Sequence, residues 1–158
     1  MYSGTLLILL CFKHQKTKLI QYMKYSIDKK EKYAVFQLEE DNLNSLIAPK
    51  LKSEFVILSN EGVSNLIFNL ADVKFVDSSG LSAILTANRL WKSLGTFVLT
   101  GVEHPSVKKL IEISRLDTVL KIVPTVKESI DYIFMEELER ELNDEGRAEE
   151  LNDEEIEK

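Results

Sequence analysis

Three short apolar runs, at 65–70, 96–99 and 120–123, are each separated from the next by a stretch of helical period. This alternation restricts the fold more than any other feature, because short apolar runs fit buried strands while apolar residues recurring every three to four positions fit helices. In the first helical stretch Leu51, Phe55 and Leu58 share one face, Pro49 suits the first turn and Gly62 closes it. In the second, Ile84, Ala87, Trp91 and Leu94 recur, with Leu81 and Leu85 widening the stripe and Gly95 ending it. His104-Pro105 opens a third, with Pro at its first position and Val107, Leu110 and Ile111 facing inward. Thr125 and Glu128 have capping-box spacing for a fourth, whose stripe is Val126, Ile130, Ile133, Phe134 and Leu138. Ahead of all this, 25–28 and 33–38 are β-rich runs parted by Lys29-Lys30-Glu31-Lys32, which predicts a hairpin. The segment 39–44 is polar and turn-like. The expected order is ββαβαβαβα, a single α/β domain with a mixed sheet packed by about four helices.

Charge divides the chain unevenly. Residues 136–158 hold twelve acidic and three basic side chains, a balance of −9, while 1–135 hold 17 basic against 14 acidic, or +3. The body is thus nearly neutral and the acidity lies in a tail, in which Glu141-Leu142-Asn143-Asp144-Glu145 returns as Glu150-Leu151-Asn152-Asp153-Glu154. Two copies are too few for a repeat fold, and the charge density predicts a frayed helix or disorder. With no basic stripe interleaved with aromatics, direct nucleic-acid binding is not expected.

Residues 1–22 differ in character from the rest of the chain. The apolar run 6–12 is far shorter than the roughly 20 residues that span a bilayer. It also lacks the basic start of a signal peptide, and Lys13, His14, Lys16 and Lys18 come after it. The expectation is an N-terminal extension ahead of a true start at Met23, a domain over 23–135 and the tail over 136–158, with no membrane span. One cysteine, Cys11, excludes an intramolecular disulfide and fits a reducing, cytoplasmic location. With only His14 and His104 beside it, no Cys/His metal site is expected.

Between the first apolar run and the second helix, directly after Phe75-Val76, stands Asp77-Ser78-Ser79-Gly80. Asp77 or Ser78 can accept hydrogen bonds from the free N–H groups of the first helical turn, and Gly80 lets another surface approach closely. Read alone, the motif is a well-capped helix start. It also presents hydroxyls for modification: a phosphate there is tolerated by the helix N-terminus and adds about 1.5 to 2 negative charges beside Asp77.

From Tyr25 to Phe134 the order and spacing of these segments resemble STAS domains. They are the run from Leu66 to Leu85 with its D-S-S-G, then Gly95 to Gly101, then Leu110 to Val123 closing on Pro124-Thr125. The particular resemblance is to anti-sigma factor antagonists. It implies that Ser79 is phosphorylated by a serine kinase that is itself the anti-sigma factor, of the histidine-kinase-like ATPase fold. Asp77, Ser78, Gly80, Leu81 and Asn44 would then form the partner-binding surface with Ser79. A metal-dependent serine phosphatase would reset the switch. Magnesium and ATP would belong to those partners, and the protein itself would need no cofactor. Family members often carry an Asp before the first helix near the serine; here Asn44 holds that position and the acidic group is at Asp41. STAS domains also serve as accessory subunits of membrane lipid- or anion-transport systems, the alternative that the resemblance leaves open.

No phosphate-binding G-x-x-x-x-G-K-[ST] loop and no G-x-S-x-G elbow occurs. His104 is expected to be a helix-start residue and not a catalytic base, with no serine or cysteine visibly tied to it. Trp91 is expected in the core. An enzyme is not expected.

Overall fold

In the computed structural model, which describes residues 22–156, each apolar run becomes a strand, buried throughout in the first two and only in part in the third. The elements are β1 (Tyr25–Lys29), β2 (Ala34–Leu38), β3 (Asn42–Leu43), α1 (Ala48–Asn60), β4 (Leu66–Asn69), β5 (Phe75–Val76), α2 (Ser78–Trp91), β6 (Phe97–Thr100), α3 (Pro105–Ile113), a 3-10 turn (Leu116–Thr118), β7 (Lys121–Val123) and α4 (Val126–Ile156). The main sheet runs β1-β2-β4-β6-β7. β1 and β2 form the expected antiparallel hairpin, and the remaining pairs are parallel, joined through helices. The mixed α/β architecture is as expected.

Register assigns the two faces. Phe36, Phe68 and Leu99 lie side by side on β2, β4 and β6, and so do Val35, Ile67 and Val98 one residue earlier. The first row joins the larger core, with Leu51, Phe55 and Leu58 of α1, Ala83, Ile84, Ala87 and Trp91 of α2, and Val107 and Ile111 of α3. The second row meets Ile133 of α4. Phe55 packs edge-on against Phe36, Phe68 and Trp91, with ring centroids 5.5, 5.2 and 6.2 Å apart. Such pairs contribute about 0.5–1.5 kcal/mol each beyond their burial. Trp91 is fully buried, as expected, and its indole N–H donates to the Val63 carbonyl at 3.0 Å.

Three details differ from the sequence reading. The polar segment 39–44 is not only a turn: Asn42 and Leu43 pair in parallel with Phe75 and Val76 as a separate two-stranded ribbon. Leu94 is not on a buried stripe, because α2 stops at Trp91 and Leu94 is 44% exposed. Of the apolar stripe expected on α4 only Ile133 is fully buried, whereas Phe134 and Leu138 are about half exposed. Phe134 still meets Tyr33 edge-on at 6.3 Å.

The helix α4 continues without a break from the domain into the acidic segment. Contacts with the body reach past residue 135. The buried Asn65 donates from its amide to the Lys32 carbonyl at 2.7 Å and to Glu137 at 2.9 Å, while its amide oxygen accepts from the Thr96 N–H at 2.8 Å. Arg140 donates to the Thr96 hydroxyl and pairs with Glu137. Among the described residues no helix is long and apolar enough to cross a membrane. The expectations for 6–12 and its basic flank lie outside the described residues.

Candidate functional site at the start of helix α2

The β3–β5 ribbon fixes the site. Because Leu43 and Val76 are paired, the chain entering α1 and the chain entering α2 emerge side by side. The Asp77 N–H donates to the Leu43 carbonyl at 3.1 Å, and the Asp41 carbonyl accepts from Lys74 and Phe75 at 2.7 and 3.1 Å. Asp77 is the N-cap of α2, in extended backbone conformation. Its Oδ1 accepts from the Gly80 N–H at 2.9 Å, and its Oδ2 accepts from the Ser45 N–H at 3.2 Å. One carboxylate therefore closes the first turn of α2 and ties down the loop leading to α1. Such a cap is worth about 0.5–2 kcal/mol.

Asn44, the position where family members often carry an acid, is half-buried. Its side-chain oxygen accepts from the Leu46 N–H at 3.0 Å, and its carbonyl from Ile47 and Ala48 at 3.1 and 2.8 Å. It shapes the turn into α1. Gly80 is buried, and the surface its missing side chain admits is the protein's own: a Cβ there would lie 2.5 Å from the Leu43 carbonyl oxygen and 2.8 Å from the side chains of Leu43 and Val76. Ser78 is exposed, Ser79 half-buried and Leu81 partly buried against the core. Two of the predicted site residues, Ser78 and Ser79, line a shallow open cleft of about 280 Å³ between α1 and α2, with Ser45, Lys52 and Ser82. Lys52 crosses this cleft, its Nζ donating to the Ser82 hydroxyl at 3.0 Å.

Two apolar side chains flank the motif at the surface, Phe75 at 57% exposure and Leu46 at 60%. Sequence reasoning missed them, along with Lys52. The signal for Phe75 was its place directly before the motif; Lys52 comes from a separate helix and becomes a neighbour only through packing.

His104 is the N-cap of α3, as expected. A serine does reach it: the Ser106 hydroxyl stands 2.7 Å from Nδ1, and the Ser106 N–H donates to the same nitrogen at 3.3 Å. The hydroxyl also donates to the Lys74 carbonyl. These contacts close a helix start and anchor the loop before β5.

The geometry can be set beside known proteins. Residues 24–129 match the family model for the STAS domain. A Thermotoga neapolitana protein provisionally named an anti-sigma factor antagonist is 27% identical over 74 residues, which is 47% of this chain and 66% of that protein's length. An anti-sigma factor antagonist from Mycobacterium paratuberculosis superposes with a TM-score of 0.64 at 16% identity, covering 71% of this chain and 94% of the other. The Bacillus cell fate determinant SpoIIAA in its phosphorylated form superposes with a TM-score of 0.55 at 20% identity, covering 70% and 99%. At these identities the structural likenesses show a shared fold.

Proposed function

The chain belongs to the STAS domain family, and from that membership we propose that it is an anti-sigma factor antagonist whose binding is switched by phosphate on Ser79. Its partner in this reading is an anti-sigma factor serine kinase of the histidine-kinase-like ATPase fold, and it works in the cytoplasm as a binding protein without catalysis of its own. Unphosphorylated, it occupies the kinase and releases the sigma factor or other regulator that the kinase holds. The kinase transfers the γ-phosphoryl group of its ATP to the Ser79 oxygen, and ADP leaves as the serine proton passes to a base on the kinase. The phosphorylated chain then dissociates, and a serine phosphatase hydrolyses the ester to restore the hydroxyl.

The observation that carries this reading is the placing of Ser79. It lies in the first turn of α2 and lines an open cleft, while Asp77 and Gly80 on either side are engaged within the chain. A hydroxyl there can gain a phosphate without the fold losing a bond. The added charge of about −1.5 to −2 falls on an open cleft that a docking partner would desolvate, so it weakens docking without unfolding the domain. Phosphopeptide mapping of the chain isolated from its native host tests this. Phosphate on Ser79 that disappears in Ser79→Ala supports it, and phosphate confined to Ser78 or to 136–158 refutes it.

A further inference from the structure

We propose that Lys52 is the internal counter-ion for a phosphate on Ser79, drawing it into the cleft between α1 and α2. This rests on the reading of Ser79 as the acceptor. A phosphate at a helix start ordinarily takes the free N–H groups of the first turn. Here the Gly80 N–H is already bound by Asp77 Oδ1, so the phosphate meets a first turn whose cap is occupied by another anion. The rest of the helix start offers only partial charge, so a full positive charge comes from a side chain. Lys52 is the one charged residue among those lining the cleft, and among the described residues it forms no ion pair.

Its present partner is a neutral hydroxyl, that of Ser82 at 3.0 Å. Ser79 and Ser82 are three residues apart on α2, hence neighbours on one side of the helix, with Cβ atoms about 5–6 Å apart. A small swing of a flexible lysine moves its ammonium from the Ser82 hydroxyl to a phosphate oxygen. That exchange replaces a neutral acceptor with an anionic one, so the ammonium gains an opposite charge as its partner. The phosphate is thereby tied to both helices and held as the dianion to lower pH, keeping its full charge on the docking surface.

The test uses the full chain with phosphoserine incorporated at position 79 during translation, so that no kinase is required. The second pKa of the phosphate is read by phosphorus NMR. It should lie below the value near 6 of free phosphoserine. In Lys52→Gln it should rise by about 0.2–0.7 of a pH unit, the range expected for a solvent-accessible pair, and Lys52→Arg should keep it low. In the chain with Lys52 intact, the Lys52 Nζ resonance should move as the phosphate titrates. An unchanged phosphate pKa in a folded Lys52→Gln chain, or a Lys52 resonance indifferent to the titration, overturns the proposal. Because the phosphate is installed directly, either result leaves open whether Ser79 is phosphorylated in the cell. Conversely, an unmodified Ser79 in the native host would refute the switch and leave the counter-ion result standing.

Discussion

Leu43 and Gly80 approach so closely that a methyl group on residue 80 would stand 2.5 Å from the Leu43 carbonyl oxygen. The contact welds the β3–β5 ribbon to the first turn of α2, and it explains a glycine inside a helix where alanine would otherwise be favoured. Gly80→Ala gains about 1 kcal/mol of helix propensity but incurs overpacking of about 1–3 kcal/mol. Because the nearest atom is backbone, the overpacking falls at the upper end, and the expected net loss of about 2 kcal/mol lowers Tm by roughly 4–8 °C in calorimetry. An unchanged or raised Tm would show that Leu43 retreats freely and that the weld is weak.

Asp77 has two structural bonds, one to the Gly80 N–H and one to the Ser45 N–H. Asp77→Ala removes both and should cost about 1–2 kcal/mol in urea unfolding. Asp77→Asn keeps an acceptor oxygen for the cap and should cost clearly less. Equal losses would mean that the negative charge, and not the hydrogen bonding, stabilises the helix start.

The main sheet and the helices were legible because their signals are local. Runs such as Phe97 to Thr100 and the stripe of Leu51, Phe55 and Leu58 carry their period within a few residues. The Thr125–Glu128 pair fixes the start of α4 within a single turn: the Glu128 N–H donates to the Thr125 hydroxyl at 3.2 Å. What the sequence hid depends on distant pairing. Two residues cannot display a strand period, so Asn42-Leu43 reads as a turn until Phe75-Val76 lies beside it. Asn65 in an otherwise apolar run gave no sign that it joins three parts of the chain. The D-S-S-G motif was visible at once, but the reason for its glycine and the lysine opposite its serines arise only when α1 packs on α2.

Asn65, Glu137 and Arg140 anchor α4 beyond the acidic boundary seen in the sequence. Truncation after Leu142 should leave Tm within about 2 °C of the full chain. Truncation after Met135 should lower stability by about 1–2 kcal/mol, since Asn65 and Thr96 lose hydrogen-bonded partners. Equal Tm values for the two shortened chains would contradict an anchoring role for Glu137 and Arg140.

Met23 is buried in the larger core, whereas Tyr22 before it is 85% exposed. A chain starting at Met23 should therefore melt within about 4 °C of the full chain, equivalent to roughly 1 kcal/mol. A larger loss would assign residues 1–22 a packing role.

The most direct test of the account is retention of partners from a native-host extract on four immobilised forms: wild type, Ser79→Ala, Ser79→Asp and the chain carrying phosphoserine at 79. Mass spectrometry should find a serine kinase of the histidine-kinase-like ATPase fold on wild type and Ser79→Ala. It should be depleted on Ser79→Asp, which adds about one charge and no phosphate oxygens, and lost from the phosphoserine form. Retention of the same kinase at equal levels on all four would contradict a phosphate switch at Ser79, as would its absence from wild type and Ser79→Ala.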